Sequence, residues 1–186
     1  MTLAKACQNR LFVDLVSKFE DEEYDGVVLD LSDQWCVLAS IEKFDRDGYW
    51  IIRKDTIKKI CHRRYEAFRH QILQADGILA ALRPLECIDI STTQNLFASL
   101  VRYQNYVVIR RETDTEWWRN QSALVGIDGN KLLMHSFDGA GRFNKKFTRC
   151  KMEDVTSIRI GSHYLKTYQK AAPYNFAERQ PIFQNP

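Results

Sequence analysis

The sequence lacks any run of apolar residues approaching the ~20 that span a membrane, and its N-terminal residues lack the apolar stretch of a signal peptide. Its cysteines are odd in number and no two stand in a C-x-x-C pair, which argues against a disulfide framework and against a zinc site. They are Cys7, Cys36, Cys61, Cys87 and Cys150. These absences predict a soluble, cytoplasmic protein with no role at a membrane.

The sequence also lacks the common motifs of enzyme active sites. No phosphate-binding glycine-rich loop, G-x-S-x-G or H-E-x-x-H motif occurs. His135 precedes Ser136 on a predicted strand, so their side chains point to opposite faces and cannot form a dyad. Asp45 and Asp47 resemble the start of a calcium loop, but no later oxygen ligands follow at the required spacing. We predict a non-enzymatic protein without metal or cofactor; an enzyme would need His135 or the turn acids to line a deep pocket.

The sequence has little excess of either charge, since its formal net charge is only +3. The charged residues are nevertheless distributed unevenly along the chain. Residues 20–33 carry seven acids and no Lys or Arg, whereas residues 51–70 carry seven basic residues and two acids, and residues 142–170 carry eight and two. A solvated polar face accounts for such runs. The alternative is a pair of matched basic surfaces that bind a polyanion. The candidate binding residues are Arg53, Lys54, Lys58, Lys59, Arg63, Arg64, Lys145, Lys146, Arg149 and Lys151.

The residues that are present form an internal repeat. Residues 26–60 contain an aliphatic pair, a polar break at Ser32–Gln34, an apolar run and a Phe-Asp segment, and residues 124–158 repeat this order with a break at Asp128–Asn130. Both copies end on two aliphatic residues spaced by three, followed by a tyrosine. A repeat of this length predicts one small domain made twice.

The sequence pattern of each copy predicts a series of short strands. Gly26–Leu31 and Trp35–Ile41 predict a hairpin, Asp45–Gly48 predicts a second turn, and Leu11–Val16 fits either a strand or a short helix. Five strands in each copy, closely spaced and joined by tight turns, are typical of an antiparallel meander that curls into a barrel or packs as a small sandwich.

Between the copies the apolar period becomes helical. Tyr65, Phe68 and Ile72 predict the apolar face of a helix near residues 63–74, and Thr92 or Thr93 can cap a second helix. The apolar face of that helix is Leu96, Phe97, Leu100 and Val101. We expect both helices to pack on the strands as a connector.

The segment Ile52–Ile60 resembles the second sequence motif of the Sm and Sm-like RNA-binding family, which reads Ile-Arg-Gly followed by spaced aliphatic residues; Lys54 stands in place of the glycine. Gly26–Leu38 is similar to the first motif. The resemblance covers residues 12–60 and extends to 104–160. It implies a strongly bent five-stranded sheet closed into a small barrel, whose motif turns bind uridine or adenine, usually within a six- or seven-membered ring.

The predicted architecture is therefore mainly β with accessory helices: two tandem Sm-like five-stranded barrels joined by a helical connector. Residues 1–62 form the first barrel, 63–103 the connector, 104–172 the second barrel and a C-terminal helix, and 173–186 an extended tail. The predicted function is a binding module for single-stranded RNA through the basic stretches. The alternative is a protein-interaction or scaffold module that pairs through strand edges and self-associates.

Overall fold

The computed structural model describes residues 1–19, 23–112 and 117–182, and it is mainly β. Glu20, Asp21 and Glu22 of the acidic stretch and residues 183–186 of the predicted tail lie outside the described residues. The strands of the first half are β1 (Phe12–Ser17), β2 (Glu23–Leu31), β3 (Trp35–Glu42), β4 (Asp45–Arg53) and β5 (Ile57–Cys61). Those of the second half are β6 (Tyr106–Glu112), β7 (Trp117–Asp128), β8 (Lys131–Ser136), β9 (Thr148–Lys151) and β10 (Ser157–Ile160). The helices are α1 (Leu3–Gln8), α2 (Arg64–Ala75), α3 (Ile78–Ala81), α4 (Thr93–Tyr103) and α5 (His163–Ala171).

Ten strands form one antiparallel sheet in the order β5-β1-β2-β3-β4-β10-β6-β7-β8-β9. The two halves meet where β10 inserts between β4 and β6, with Ile158 opposite both Ile51 and Ile109. Within each half the strand that is last in sequence precedes the other four in the sheet. Within Leu11–Val16, which fitted strand or helix, residues 12–16 belong to β1.

The prediction of two separate closed barrels is not what the structure contains. Among the described strands β4 pairs with β3 and β10 rather than with β5, so no barrel closes. The physical reason is that β10 satisfies the backbone donors and acceptors along the β4 edge, which a closed first half would have offered to β5. The coarser prediction, a mainly β protein with accessory helices, is confirmed.

A short 3₁₀ helix precedes the last strand of each half, at Lys54–Thr56 and at Met152–Asp154. The first N–H of each helix donates to a turn carbonyl: Lys54 N–H to Gln34 O (2.8 Å) and Met152 N–H to Asn130 O (2.9 Å). These bonds fasten the β4–β5 connection to the β2–β3 turn, and the β9–β10 connection to the β7–β8 turn.

The predicted turn at Asp45–Gly48 is wrong in position. The chain reverses at Lys43 and Phe44, both with positive φ (49° and 65°), which is the backbone of a tight two-residue hairpin. Gly48 instead lies inside β4 with φ of 73°, near a shift in the β3–β4 register. The sequence misleads because Asp and Gly are the usual turn residues, whereas the turn here uses Lys and Phe.

Three of the helices begin at a Ser or Thr cap. The side chains of Thr2, Thr92 and Ser162 accept hydrogen bonds from the third backbone N–H of α1, α4 and α5, respectively. In α4 the predicted face is buried, with Leu96, Phe97 and Leu100 fully shielded from solvent. That prediction is confirmed, whereas the predicted face of α2 is not.

Apolar residues gather in three clusters because side chains alternate across the sheet. The shared core, on one face, joins residues of both halves such as Ile51 and Ile109 to α2 and α4. On the other face, one cluster lies under α1 around Trp50, and another lies under α5 around Val108. Two sets of strands thus share one apolar layer.

Residues after α5 fold back on the second half. β11 (Tyr174–Asn175) and β12 (Gln180–Pro181) pair with each other, and the Tyr106 hydroxyl donates to Ala172 O at 2.5 Å. Tyr174 is buried in the cluster under α5. The described helices include none with the length and apolar character required to cross a membrane.

Candidate nucleic-acid interface

Arg53 and Lys54, the first two candidate residues, tie turns together. The Arg53 guanidinium bonds the Asp55 carboxylate at 2.7 Å and donates to Glu153 O and, at 3.3 Å, to Val155 O. Lys54 Nζ donates to Ser32 O at 2.8 Å. Both cations are therefore engaged within the fold.

The turns that correspond to the two motifs meet in a cleft of about 590 Å³ beside the start of α4. Its charged side chains are Asp33, Asp55, Glu153 and Arg53. Three carboxylates thus stand against one guanidinium, which is already paired with Asp55. Electrostatics in this turn cleft disfavour a polyanion.

Four other candidate cations lie further along the first basic stretch. Lys58 and Lys59 are on β5, a terminal strand of the sheet, and Arg63 and Arg64 begin α2. All four side chains are exposed, and none forms an ion pair with a carboxylate in the described part of the chain. Their charge is therefore available to a ligand.

Two aromatic side chains share an open surface of α2 with Arg64. Tyr65 is 62% exposed and Phe68 is 58% exposed, three residues apart on one face of the helix. We predicted that this face would pack on the strands, and the prediction is wrong. Large aromatic side chains left in water mark a binding surface when they cluster with cations.

The adjacent face of α2 is buried because it carries a specific polar anchor, Arg69, which also lies 5.7 Å over the Tyr65 ring. Arg69 lies 4.3 Å over the Phe12 ring and donates to Asp25 Oδ2 at 2.7 Å and to Ile41 O at 3.3 Å. Glu66, also buried, accepts from the Arg63 backbone N–H at the start of the helix. Together with Leu73 these residues turn the helix so that Tyr65 and Phe68 point outward.

The second basic stretch lies at the other end of the sheet. Lys145 and Lys146 are exposed between β8 and β9. Arg149 and Lys151 lie on β9 and face Asp128 and Glu153, with charged atoms 3.9 Å and 3.4 Å apart.

The two stretches are not brought together. β5 and β9 are the terminal strands of the sheet, with eight strands between them. The hypothesis of matched surfaces on one face therefore reduces to two separate patches. Both patches hold exposed cations that lack carboxylate partners within the described chain. The patch at α2 adds two exposed aromatic side chains, 62% and 58% exposed, whereas the other adds Phe147 alone, at 38%.

His135 and two buried cysteines are the groups with potential chemistry in the cores. His135 is buried, with Nδ1 at 2.9 Å from the Tyr174 hydroxyl and Nε2 at 2.5 Å from Asn144 O. Burial raises the pKa of the Cys36 thiol to about 12 and that of Cys150 to about 11, so both remain thiols at neutral pH. Within residues 1–19, 23–112 and 117–182, no group of three or more His, Cys, Asp or Glu side chains could hold a metal ion.

Sequence reasoning identified the cations at α2 but missed Tyr65 and Phe68 as surface residues. The helical spacing of residues 65, 68 and 72 describes the more apolar side of α2, so periodicity alone points it inward. The available signal was the Arg63-Arg64 pair directly before Tyr65, an aromatic residue interleaved with cations. Comparison with protein-family models, with curated proteins and with solved structures finds no match to this chain.

Proposed function

We propose that this protein is a non-enzymatic module that binds single-stranded RNA on its α2 surface. The α2 surface consists of Lys58, Lys59, Arg63, Arg64, Tyr65 and Phe68. The observation that supports this most directly is the outward exposure of Tyr65 and Phe68 next to Arg64. Arg64 is one of four exposed cations in this stretch that have no carboxylate partner within the described chain. Cations attract the phosphate backbone, and the exposed rings offer a platform on which bases stack.

The proposal predicts a strong dependence on salt. Four cations that each neutralise one phosphate give a slope of about −3 for log K against log salt, since each phosphate contact on a single strand contributes about −0.7. We would measure this with fluorescence anisotropy of labelled oligo-uridine and oligo-adenine over a salt series. Replacing the four cations by Ala should abolish most of the slope together with the affinity.

The aromatic contribution is tested by Tyr65→Ala and Phe68→Ala. Each should weaken binding by about 1–3 kcal/mol with little change in the salt slope, because stacking releases no counterions. The matched control is Lys145→Ala/Lys146→Ala, which removes two exposed cations from the other end of the sheet. Absence of binding at low salt, or equal losses in the control and the α2 variants, would refute the proposal.

The architecture belonging to this proposal is a divergent pair of Sm-like five-stranded units, covering residues 1–62 and 104–172, fused through the β4–β10 pair. It is supported by the shared strand order of the halves, by the 3₁₀ helix before the last strand of each, and by the matching bonds from Lys54 and Met152 to the turns. The residues 63–103 then act as a packed connector.

The proposed compartment is the cytoplasm. All five cysteines are free thiols, and Cys87 is exposed. A reducing compartment keeps such thiols from forming adventitious disulfides.

A second candidate function is self-association through strand edges. The internal β4–β10 pair joins the fourth strand of one half to the fifth strand of the other, and the terminal strands β9 and β5 are again a fourth and a fifth strand. Pairing β9 of one chain with β5 of another would repeat the internal junction head to tail. Lys58, Lys59, Arg149 and Lys151 lie on these edges and repel one another across such a contact.

Salt separates the two candidates. Screening of those edge charges should promote self-association, whereas it weakens RNA binding. Light scattering over a range of protein and salt concentrations measures the first effect. A monomer under all these conditions excludes the second candidate and leaves the first untouched.

A further inference from the structure

A second, larger cleft of about 1120 Å³ opens where the two halves meet. The first half contributes the β3–β4 hairpin, with the carboxylates of Glu42, Asp45 and Asp47 and the cations of Lys43 and Arg46. The second half contributes α5 and the loop Gly139–Gly141. Arg119 of β7 and Arg159 of β10 also line this junction cleft. It lies apart from the turn cleft and shares no lining residue with it.

Three arginines from adjacent strands gather beneath the junction cleft. Arg110 on β6 lies directly opposite Arg119 on β7, so both side chains lie on the same face of the sheet. Arg159 on β10 is opposite Val108, two residues from Arg110, and therefore lies on this face as well. Burial, and then the nearby charge of Arg119, lowers the pKa of Arg110 to about 10, and Arg159 adds to this effect while Glu112 opposes it.

Arg159 and Arg119 differ in whether nearby carboxylates neutralise their charge. Arg159 bonds the Asp47 carboxylate and lies 3.6 Å from the Glu42 carboxylate. Arg119 is exposed and forms no ion pair with a carboxylate of residues 1–19, 23–112 or 117–182. Like charges directly opposite on paired strands are destabilising. An anion held by Arg119 and Arg159 would relieve that repulsion.

An aromatic wall stands beside these arginines. Tyr164 of α5 is 39% exposed, packs 4.7 Å from the Tyr168 ring, and donates its hydroxyl to Gln121 Oε1 at 2.5 Å. The ring is thereby held in a fixed orientation at the cleft. The cleft volume far exceeds that of inorganic phosphate, so the anionic group would be part of a larger ligand. The Tyr164 ring offers a flat surface to a planar part of that ligand.

We propose that the junction cleft binds a small phosphate ester of mononucleotide size, with its phosphate on Arg119 and Arg159 and its base against Tyr164. The phosphate gains charge-assisted hydrogen bonds from two guanidinium groups. This site is independent of the RNA proposal, because none of its residues belongs to the α2 surface.

Isothermal titration calorimetry at low salt tests the site with AMP, UMP, inorganic phosphate and adenosine. AMP and UMP should bind. Adenosine should have an affinity at least about tenfold lower than that of AMP, because it lacks the phosphate. Phosphate alone should bind more weakly than AMP because it does not reach Tyr164. Adenosine binding as tightly as AMP would overturn the assignment of Arg119 and Arg159 to the phosphate.

Arg119→Glu should weaken AMP binding about tenfold or more. The matched control is Lys166→Glu, which makes the same charge change at an exposed position of α5 that does not line the cleft. Gly139→Leu places a bulky side chain in the cleft without changing its charge, so it should weaken AMP binding. The fold should tolerate this change, because a Cβ at Gly139 meets no atom within 4 Å. The variant with Ala at Lys58, Lys59, Arg63 and Arg64 should bind AMP normally, which separates this site from the RNA surface.

The apo protein gives a further readout. Arg119→Ala removes a like-charge neighbour of Arg110, so it should raise the melting temperature while it abolishes the stabilisation that AMP confers on the parent protein. A lowered melting temperature with AMP affinity retained would assign Arg119 a structural role and overturn the proposal. So would the absence of binding of AMP, UMP and phosphate at millimolar concentration.

Discussion

Asp14 is a carboxylate on β1 in a crowded acidic setting. Its side chain is half-buried against α2, with Glu66 beside it and Asp25 and Glu23 nearby. Burial, then contact with Glu66, then repulsion from these carboxylates raise the pKa of Asp14 from 3.8 to about 7. Around this pair, the Phe12 N–H donates to His70 Nδ1 (3.3 Å), and Arg69 bonds Asp25.

A raised pKa in the folded state means that ionisation of Asp14 opposes folding. Its contribution to stability is fully favourable below about pH 4, falls as the pH rises from 4 to 7, and stays at its minimum above that range. We expect Asp14→Asn to raise the melting temperature at pH 8 and to change it little at pH 4. Because water screens a half-buried group, the gain should be about 1 kcal/mol, or about 2–4 °C.

Differential scanning calorimetry at the two pH values measures this effect. The control is Asp33→Asn, an exposed carboxylate in the β2–β3 turn. A lower melting temperature for Asp14→Asn at pH 8 would show that the charge of Asp14 stabilises the fold, contrary to the prediction.

Two glycines with the same φ of 73°, Gly48 and Gly77, provide a matched pair. A Cβ at Gly48 would lie 2.3 Å from Ile160 O and 2.5 Å from Ser162 N, whereas at Gly77 it meets nothing within 4 Å. Gly77→Ala should cost only the left-handed backbone penalty of about 1–2 kcal/mol. Gly48→Ala should cost about 3 kcal/mol or more, because β4 and the end of β10 must also move apart.

Urea unfolding gives both free energies on one scale. Equal costs for the two variants would mean that the close approach of β4 to β10 relaxes without penalty.

Among the elements, α4 and α2 differ in how well periodicity describes them. The apolar stripe of α4 faces the shared core because nothing on its other side competes for burial. In α2 the competing side carries Arg69 and Leu73, and the stacking of Arg69 on Phe12 and its bond to Asp25 outweigh burial of the exposed rings. Such a long-range anchor is invisible to a pattern read along one helix. The α2 cations in the binding surface were thus predictable, and the aromatic residues were not.

The orientation of α2 predicts unequal effects of truncating its side chains. Leu73→Ala should lower the free energy of unfolding by about 2–5 kcal/mol because it empties a fully buried site. Phe68→Ala should change it by less than about 0.5 kcal/mol, since the ring is mostly exposed. Urea denaturation measures both, and a large loss for Phe68→Ala would contradict the outward orientation.

For the whole molecule, local patterns indicated most strands but not how the halves join. The polar breaks at Ser32–Gln34 and Asp128–Asn130 predict the turns that the structure contains. Turn chemistry carries no information on which edge β10 joins, because pairing over about a hundred residues depends on tertiary packing. That is why two closed barrels were expected where one continuous sheet exists.

The shared core and the β4–β10 pair predict that both halves unfold together. Calorimetry should give a single transition in which the calorimetric and van't Hoff enthalpies agree. Ile158→Ala, a fully buried change in β10, should lower this transition without splitting it. Two resolved transitions, or hydrogen exchange that releases β7 and β8 well before β2 and β3, would contradict the prediction.

The placement of β10 also sets an order for folding during synthesis. β10 is the last of the ten strands to be made and yet lies at the centre of the sheet, between β4 and β6. Residues 54–156 must be translated before the edge of β4 meets its partner, which takes about 5–20 s at about 5–20 residues per second. Until β10 is made, the edges of β4 and β6 both lack their strand partner. The two flanks of the sheet can therefore form first, and the middle of the sheet is completed last.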